Sequence, residues 1–267
     1  MASFINQLIM TSVPKGFNPS PYPYHHTIEL EIVSLTNLGL GLGRDQDWVI
    51  QVPYVLPGET ILARIYRNHK NYSSADCVSV LKPSPHRVSP GCTLFGECGG
   101  CQYQHLDYKS QLEWKHTQVK DSFERIAGLN FKINPTIASP QQYGYRSKLT
   151  PHFEKPKEVH PFKIGFLKQG TRRSLLDIEH CPIATDAIND ALPFAREQLG
   201  SKKNALKKGG TLLLRDTNGT VTTDPNEFVQ ENVGDFVFQF RAGEFFQNNP
   251  FILTALVDYV INQSQPL

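Results

Sequence analysis

The sequence lacks any apolar run that could cross a bilayer. A spanning helix needs ~18 consecutive apolar residues, and every apolar run in the 267 residues is much shorter. The first fourteen residues include Phe4, Ile5 and Leu8, but no Lys or Arg precedes them, so they do not resemble a secretory signal. We therefore expect a cytoplasmic protein with no membrane partner.

Cysteine is scarce. The chain has five cysteines, an odd number, and no export signal accompanies them. This combination excludes the disulfide framework of a small secreted protein. We expect reduced thiols that are available for metal binding or catalysis.

An overall excess of positive charge is also absent, since 27 Lys and Arg face 25 Asp and Glu. The charges are nevertheless segregated. Residues 143–173 contain eight Lys or Arg and two Glu, a local +6, whereas residues 174–267 contain seven basic and twelve acidic residues, a local −5. The neutral total thus conceals a basic block that could face phosphate groups.

The N-terminal part alternates short strands with turn residues. Residues 27–35, 48–52, 60–67 and 75–81 have the composition and period of strands. Four short strands in about 55 residues predict a small OB-like barrel, a fold used on nucleic acids. The glycines of residues 39–43 imitate a nucleotide-binding loop, but no apolar helix follows, so we predict a barrel turn there.

The remainder mixes helices and strands, which predicts an α+β fold. After a linker at residues 83–91, Asp107 is placed to cap a helix that ends at Gly128. Further strands are predicted at residues 148–153, 163–168, 211–216 and 235–241. Helices are predicted at residues 183–198 and from Pro250 onward.

The cysteine motif is the most informative feature. Cys92, Cys98 and Cys101 lie among four glycines, and Cys181 is a fourth donor that precedes a proline. Soft thiolates select zinc or iron–sulfur clusters. Three local ligands and one distant ligand favour a cluster over a zinc ribbon, while a zinc site and unligated thiols remain the alternatives.

A block of aromatic and cationic residues occupies positions 143–148. Tyr143, Tyr145, Arg146 and Lys148 alternate rings with charges, a pattern that suits base stacking beside phosphate contacts. The lysines of residues 202–208 are interpreted as a solvated loop.

These residues resemble the TRAM-containing, iron–sulfur RNA (uracil-5-)methyltransferases, which act on ribosomal or transfer RNA. Residues 38–44 and 52–59 look like the TRAM domain. Cys92, Cys98, Cys101 and Cys181 coincide with the cluster ligands of the family. Residues 145–148, 164–166 and 178–182 look like its central RNA-binding domain, and residues 245–249 match the segment that leads into its SAM domain.

The resemblance implies a domain plan and a set of functional residues. Residues 1–24 would be a lead-in, residues 25–83 the OB-like TRAM barrel, and residues 84–267 the iron–sulfur module and central RNA-binding domain, ending at the helix that leads into the methyltransferase domain. A [4Fe-4S] cluster would be held by the four cysteines, and Gln247 would contact S-adenosyl-L-methionine. The implied RNA contacts are Tyr145, Arg146, Lys148, Arg172 and Arg173.

The sequence also departs from the family. No acidic, Gly-rich SAM loop and no Cys and Glu pair for catalysis can be recognised. We therefore predict that the chain is the N-terminal portion of such an enzyme and lacks the Rossmann-like methyltransferase domain. On this interpretation no residue is catalytic, and the chain alone binds RNA without transferring methyl groups. The alternative is a stand-alone, non-catalytic RNA-binding protein with a four-cysteine metal site, and a third possibility is an electron-transfer protein.

The expected partner is RNA. Family analogy favours ribosomal RNA over transfer RNA, because TRAM and cluster occur together more often in enzymes that act on ribosomal RNA. The chain is expected to be monomeric, with the methyltransferase domain either missing or supplied as a separate protein.

Overall fold

A computed structural model describes residues 12–155, 162–171 and 173–264. The chain forms two compact units. Unit 1 consists of residues 1–88 and 105–133, and unit 2 of residues 89–104 and 134–267. Residues 105–133 group with the N-terminal part in this division, and the domain bounds expected from the sequence stay a prediction. None of the described helices is long and apolar enough to cross a membrane.

Unit 1 is built on a closed five-stranded barrel. Its strands follow the order β1-β2-β3-β5-β4, and all pairs are antiparallel except β3 with β5. They are β1 (Thr27–Leu35), β2 (Leu40–Asp45), β3 (Trp48–Pro53), β4 (Thr60–Asn68) and β5 (Tyr72–Lys82). Inward-facing aliphatic side chains alternate along β1 and β4 because successive residues of a strand point to opposite faces, and Leu30, Ile32, Ile61 and Ile65 are buried in this way.

The glycine-rich stretch is a strand, which corrects the predicted turn. β2 includes Gly41 and Gly43, and each lies against the packed core. A Cβ atom on Gly41 would come within 2.3 Å of the Val55 side chain, and one on Gly43 within 2.5 Å of Leu30. Only glycine leaves room for β2 to pass so close to the barrel interior.

A helix follows the barrel in unit 1. α1 (Tyr108–Asp121) begins where predicted, since the Asp107 carboxylate accepts a hydrogen bond of 2.8 Å from the N–H of Ser110. A π-helical turn (Ser122–Ile126) extends it, and Gly128 has a positive φ of 65°. The apolar side chains of the helix and the π-helical turn are largely exposed, because Val119, Phe123 and Ile126 remain 45%, 37% and 86% accessible.

Unit 2 contains several small sheets. A four-stranded sheet has the order β10-β7-β8-β9, a three-stranded sheet has the order β12-β11-β6, and β13 pairs with β14. The strands are β6 (Lys148–Leu149), β7 (His152–Phe153), β8 (Ile164–Leu167), β9 (Leu175–Asp177), β10 (Gly210–Thr211), β11 (Leu214–Thr217), β12 (Thr220–Thr222), β13 (Phe228–Val233) and β14 (Phe236–Arg241). The single strands predicted at residues 148–153 and 211–216 are therefore each divided between two sheets.

Two α-helices complete unit 2. α2 (Asp186–Ser201) is capped by Thr185 and buries Ile188, Leu192 and Ala195 against Leu149 and Leu214. α3 (Leu253–Ser264) follows a 3₁₀ turn (Pro250–Ile252), whose N-cap is Asn249, as the sequence predicts.

Candidate functional site

The four predicted cysteine ligands all lie in unit 2. Backbone hydrogen bonds fold the Cys92–Cys98 turn and attach it to the end of β8, where the N–H of Gly99 donates to the carbonyl of Leu167 over 3.0 Å. A Cβ atom on Gly99 would be only 3.2 Å from that carbonyl. Cys181 is fixed separately, since its N–H donates to the Asn189 side chain on α2 over 2.9 Å.

Neighbouring thiols affect the pKa values of Cys181 and Cys101. Burial raises the pKa of Cys181 to about 11, and the nearby Cys101 and Cys92 add to the increase. Burial likewise raises the pKa of Cys101, and Cys98 and Cys92 again contribute. Cys181 thus lies near enough to Cys101 and Cys92, and Cys101 near enough to Cys98 and Cys92, to disfavour the thiolate forms. The fold therefore brings the distant Cys181 close to Cys92 and Cys101.

The thiols do not, however, form a ligand group in this structure. Within the described ranges, no group of three or more His, Cys, Asp or Glu side chains is arranged to hold a metal ion. Cys77 belongs to unit 1, where it lies in strand β5 of the barrel, and burial raises its pKa.

The aromatic and cationic block lies beside the cysteines. The N–H of Arg146 donates to the carbonyl of Ile183 over 2.7 Å, two residues beyond Cys181. The guanidinium group of Arg146 lies near enough to Cys101 to oppose the rise in the pKa of that thiol. Its Nε donates to the carbonyl of Lys148 over 3.0 Å. The guanidinium group of Arg146 thus lies near the thiol of Cys101 and is hydrogen-bonded to Lys148 of its own block.

The ammonium group of Lys148 is bound to backbone carbonyl groups of unit 2. Its Nζ donates to the carbonyls of Gly243 and Glu244, over 2.8 and 3.0 Å. Burial lowers the pKa of Lys148, and the nearby Arg215 and Arg146 lower it further. Two of its three N–H groups therefore hold the segment before Gln247, which leaves one to donate elsewhere.

Arg215 is a functional candidate that the sequence reasoning missed. The side chain is fully buried, and it donates to the carbonyls of Ala242 and Glu244 over 3.2 and 3.0 Å. Its guanidinium group lies 5.3 Å from the ring centre of Phe240. Burial lowers its pKa to about 10, and Glu231 partly compensates. The sequence does carry one signal for this role, because Arg215 lies inside a run, residues 211–216, that has the pattern of a strand. An unpaired charge is unfavourable in the core of a sheet, so an arginine at such a position indicates bound partners.

Residues 242–249, which we call the grip segment, are therefore held from several sides. The backbone N–H of Ser147 donates to the carbonyl of Asn248 over 2.8 Å, and the ring of Phe246 stacks on Phe240 at 4.1 Å. Within this fixed backbone the side chains of Phe245 and Gln247 are exposed. Both side chains are thus accessible, while contacts with the rest of unit 2 hold their backbone in place.

The remaining predicted RNA contacts are only partly described. Tyr145 is half-buried, and Arg173 is exposed with its N–H donating to Thr171 over 3.0 Å. Arg172 lies outside the described residues. The structure thus groups Arg146 and Lys148 and leaves Arg173 on a separate turn after β8.

The chain is similar to known RNA-modifying proteins. It is 40% identical to the tRNA (uracil(54)-C(5))-methyltransferase of Schizosaccharomyces pombe over 82% of this chain and 44% of that protein. It is 30% identical to the protein of the same name from Saccharomyces cerevisiae, over 81% of this chain and 44% of that one. An uncharacterized RNA methyltransferase of Synechocystis is 35% identical over 60% of this chain. The chain thus spans a little under half the length of the first two relatives. No family model matches it.

A solved structure shares the fold. The crystal structure of the Pyrococcus abyssi tRNA (uracil-54, C5)-methyltransferase, in complex with S-adenosyl-L-homocysteine, matches with a TM-score of 0.61. The match covers 89% of this chain and 65% of that chain, at 21% identity. At this identity, the likeness shows the fold.

These matches correct two expectations. The sequence analysis predicted a fold without the methyltransferase domain and a chain that alone transfers no methyl groups. Both are overturned, because 89% of the chain fits the fold of a methyltransferase and 82% aligns with a curated one. The two predictions depended on the absence of a recognisable SAM loop and of a catalytic Cys and Glu pair. Homology over four fifths of the chain is stronger evidence than the absence of these motifs. The preference for ribosomal RNA also finds no support, since the first two relatives are named for transfer RNA. Over four fifths of its length, this chain is a homologue of the RNA (uracil-5) methyltransferases.

Proposed function

We propose that this protein acts in the S-adenosyl-L-methionine-dependent methylation of uridine C5 in transfer RNA. The observation that carries the proposal is the 40% identity to a tRNA (uracil(54)-C(5))-methyltransferase over 82% of the chain. The ordered backbone of the grip segment supports it, because a preorganised site loses less entropy when it binds a ligand.

The chemistry explains what such a protein must do. C5 of uracil is a weak nucleophile until a thiolate adds to C6 and forms an enolate, after which C5 takes the methyl group and S-adenosyl-L-homocysteine leaves. A base then removes the C5 proton, and the thiolate is expelled from C6 as the double bond re-forms. The donor and the target base must therefore be held in a fixed mutual orientation. In this proposal Gln247 contacts the methyl donor, and its exposed side chain on an immobilised backbone suits that role.

RNA binding is assigned to the block at residues 143–148 and to the barrel. Arg146 and the remaining N–H of Lys148 supply positive charge, and Tyr145 supplies a ring for stacking. Arg172 and Arg173 remain further proposed contacts. The barrel of unit 1 would act as a TRAM module, with the cations of β4 and the turn after it, Arg64, Arg67, His69 and Lys70, facing phosphate groups.

The function can be tested in the source organism by disruption of the gene. We expect 5-methyluridine to disappear from transfer RNA and to return when the intact gene is supplied, as measured by mass spectrometry of nucleosides from purified RNA. A gene that encodes Gln247→Ala should restore less than a tenth of the modification. Unchanged 5-methyluridine in transfer RNA, with a loss in large-subunit ribosomal RNA, would contradict the proposed substrate.

We also propose that Cys92, Cys98, Cys101 and Cys181 hold an iron–sulfur cluster. The donor set fits, because four soft thiols are gathered by the fold and Arg146 supplies a compensating positive charge beside Cys101. The cluster would supply a covalent link between the segment of residues 91–101 and the turn that carries Cys181. It would thereby stabilise the surface to which Arg146 belongs.

Metal analysis tests this assignment. Protein purified without oxygen should be brown and contain about four iron atoms per chain, and Cys181→Ser should lose most of the iron. Cys77→Ser is the matched control and should keep it, since Cys77 lies in the barrel. Colourless protein with one zinc per chain, or equal iron in both variants, would contradict the cluster.

A further inference from the structure

Unit 2 contains a cavity of about 460 Å³ that reaches Lys148 and, in the grip segment, Gly243. It lies between the C-terminal end of α2 and the strands around β7 and β10. Lys148 and Lys202 are its charged lining residues, and no Asp or Glu is among the described residues that line it. The cavity therefore favours an anionic occupant.

The surrounding chain strengthens this preference. Residues 198–215 contain five Lys or Arg and no Asp or Glu. Four carboxylates, those of Glu154, Glu197, Asp224 and Glu244, adjoin lining residues in sequence, but none of them lines the cavity. The lining itself thus carries two positive charges and no negative one.

The polar lining continues with neutral groups. Thr150, Thr211 and Thr223 contribute hydroxyl groups and Gln198 an amide. These groups can both donate and accept hydrogen bonds, unlike the two ammonium groups. A ligand that combines an anion with neutral hydroxyl or carbonyl groups would use both kinds of contact.

Part of the lining is apolar, namely Phe153, Leu199, Leu212 and Leu213. The ring of Phe153 lies against Gly210, where a Cβ atom would come within 2.8 Å of the ring. A flat aromatic wall beside aliphatic side chains is suited to a nucleobase, since every base has a π-face.

We propose that this cavity binds one nucleotide of the RNA strand, with the phosphate toward Lys202 and Lys148 and the base against Phe153. The inference rests on the proposed function, because it takes RNA as the partner. A free inorganic anion would use the lysines but not the ring, and an apolar ligand would offer no acceptor to Lys202 or to the remaining N–H of Lys148. Lys148 also holds the grip segment, so occupation of the cavity would place RNA directly beside that segment.

Affinity for an unmodified tRNA transcript is the first measurement. Lys202→Glu should weaken binding about tenfold and lower the slope of log K against log salt by about one or two, because one phosphate contact is lost and repulsion is added. Lys132→Glu is the matched control: it changes an exposed lysine of unit 1 by the same charge and should alter the affinity less than twofold.

Titration with uridine 5′-monophosphate is the second measurement, observed through the methyl NMR signals of Leu199 and Leu212. Both signals should shift, Phe153→Leu should reduce the shifts, and inorganic phosphate at equal concentration should leave the methyl signals in place. The cavity proposal is overturned if Lys202→Glu binds tRNA as tightly as Lys132→Glu, or if the leucine signals do not respond. Shifts with uridine 5′-monophosphate in a protein that does not bind tRNA would instead support the cavity and count against the proposed function.

Discussion

Glu59→Gln should destabilise unit 1 by about 3 kcal/mol, because it breaks a buried ion pair and leaves the charge of Arg87 without its partner. The Glu59 side chain is fully buried, and Arg87 reaches both of its carboxylate oxygens, with Nε at 2.5 Å and Nη2 at 2.8 Å. The carboxylate also accepts hydrogen bonds from the N–H of Leu56 and of Ser84, over 2.8 and 3.3 Å. One carboxylate thus ties together the β3–β4 connection and the segment after β5.

The pH dependence of unfolding should show the same interaction. Burial by itself would raise the pKa of Glu59, but the hydrogen bonds from Arg87, Leu56 and Ser84 outweigh burial and hold the pKa below its usual value. The carboxylate therefore contributes stability above its unfolded pKa, and this contribution is lost as the pH falls through the lower folded pKa. Glu59→Gln should lack that loss.

Buried His105 acts in a separate pH window. Burial lowers its pKa to about 4, and Arg87 lowers it further. The unfolded chain binds more protons between pH ~6.5 and 4, so stability should fall as the pH falls across that window. The Glu59 charge partly opposes the decrease in the His105 pKa, so this fall should be no smaller in Glu59→Gln, whereas the loss that belongs to the Glu59 carboxylate should be absent.

Tryptophan fluorescence during urea unfolding is a suitable measurement, since both tryptophans, Trp48 and Trp114, lie in unit 1. Asp76→Asn is the matched control, because the Arg64–Asp76 pair is about half exposed and such pairs contribute about 0 to 1 kcal/mol. Equal stability losses in the two variants would show that the Glu59 carboxylate does not stabilise the barrel.

Arg215→Met should release the grip segment and destabilise unit 2 by about 2 to 4 kcal/mol, because buried carbonyls lose their donors. The carbonyls of Ala242 and Glu244 would be left without the guanidinium group, although Glu244 would keep its bond to Lys148. We expect the backbone of residues 243–249 to exchange its amide hydrogens at least tenfold faster in the variant.

Hydrogen exchange followed by mass spectrometry checks this, with Arg241→Met as control. Arg241 is exposed on β14 and lies 5.0 Å from the ring centre of Phe228, so its loss should leave the grip segment protected. Arg215→Lys should give an intermediate rate, because a lysine can make only part of the forked contact. Unchanged exchange in Arg215→Met would show that the segment is held by other contacts.

The strands of the barrel could be predicted because their signal is local. Alternation of Ile28, Leu30 and Ile32 with polar neighbours reflects a strand with one buried face, and the structure has β1 over the same residues. β2 was missed because its glycines imitate a turn, and the reason for them, the close approach of Val55 and Leu30, depends on residues outside the strand.

The thiol cluster was predictable in part. Spacing identified Cys92, Cys98 and Cys101 as neighbours and Cys181 as a candidate fourth donor, and the fold brings Cys181 close to Cys92 and Cys101. The predicted ligand geometry is not formed among the described residues. The predicted phosphate contact of Lys148 stays a prediction, and the structure adds that its ammonium group holds the grip segment.

The sequence by itself determined the local features of this protein: the strand pattern of the barrel, the caps Asp107 and Asn249, the spacing of the cysteines and the basic block. Each depends on residues that are near one another in the chain. Only the tertiary structure decided that Arg215 and Lys148 converge on one carbonyl, Glu244, and that a cavity with two lysines opens beside them. These contacts join residues that are 29 and 96 positions apart, and such contacts follow from packing rather than from any local pattern.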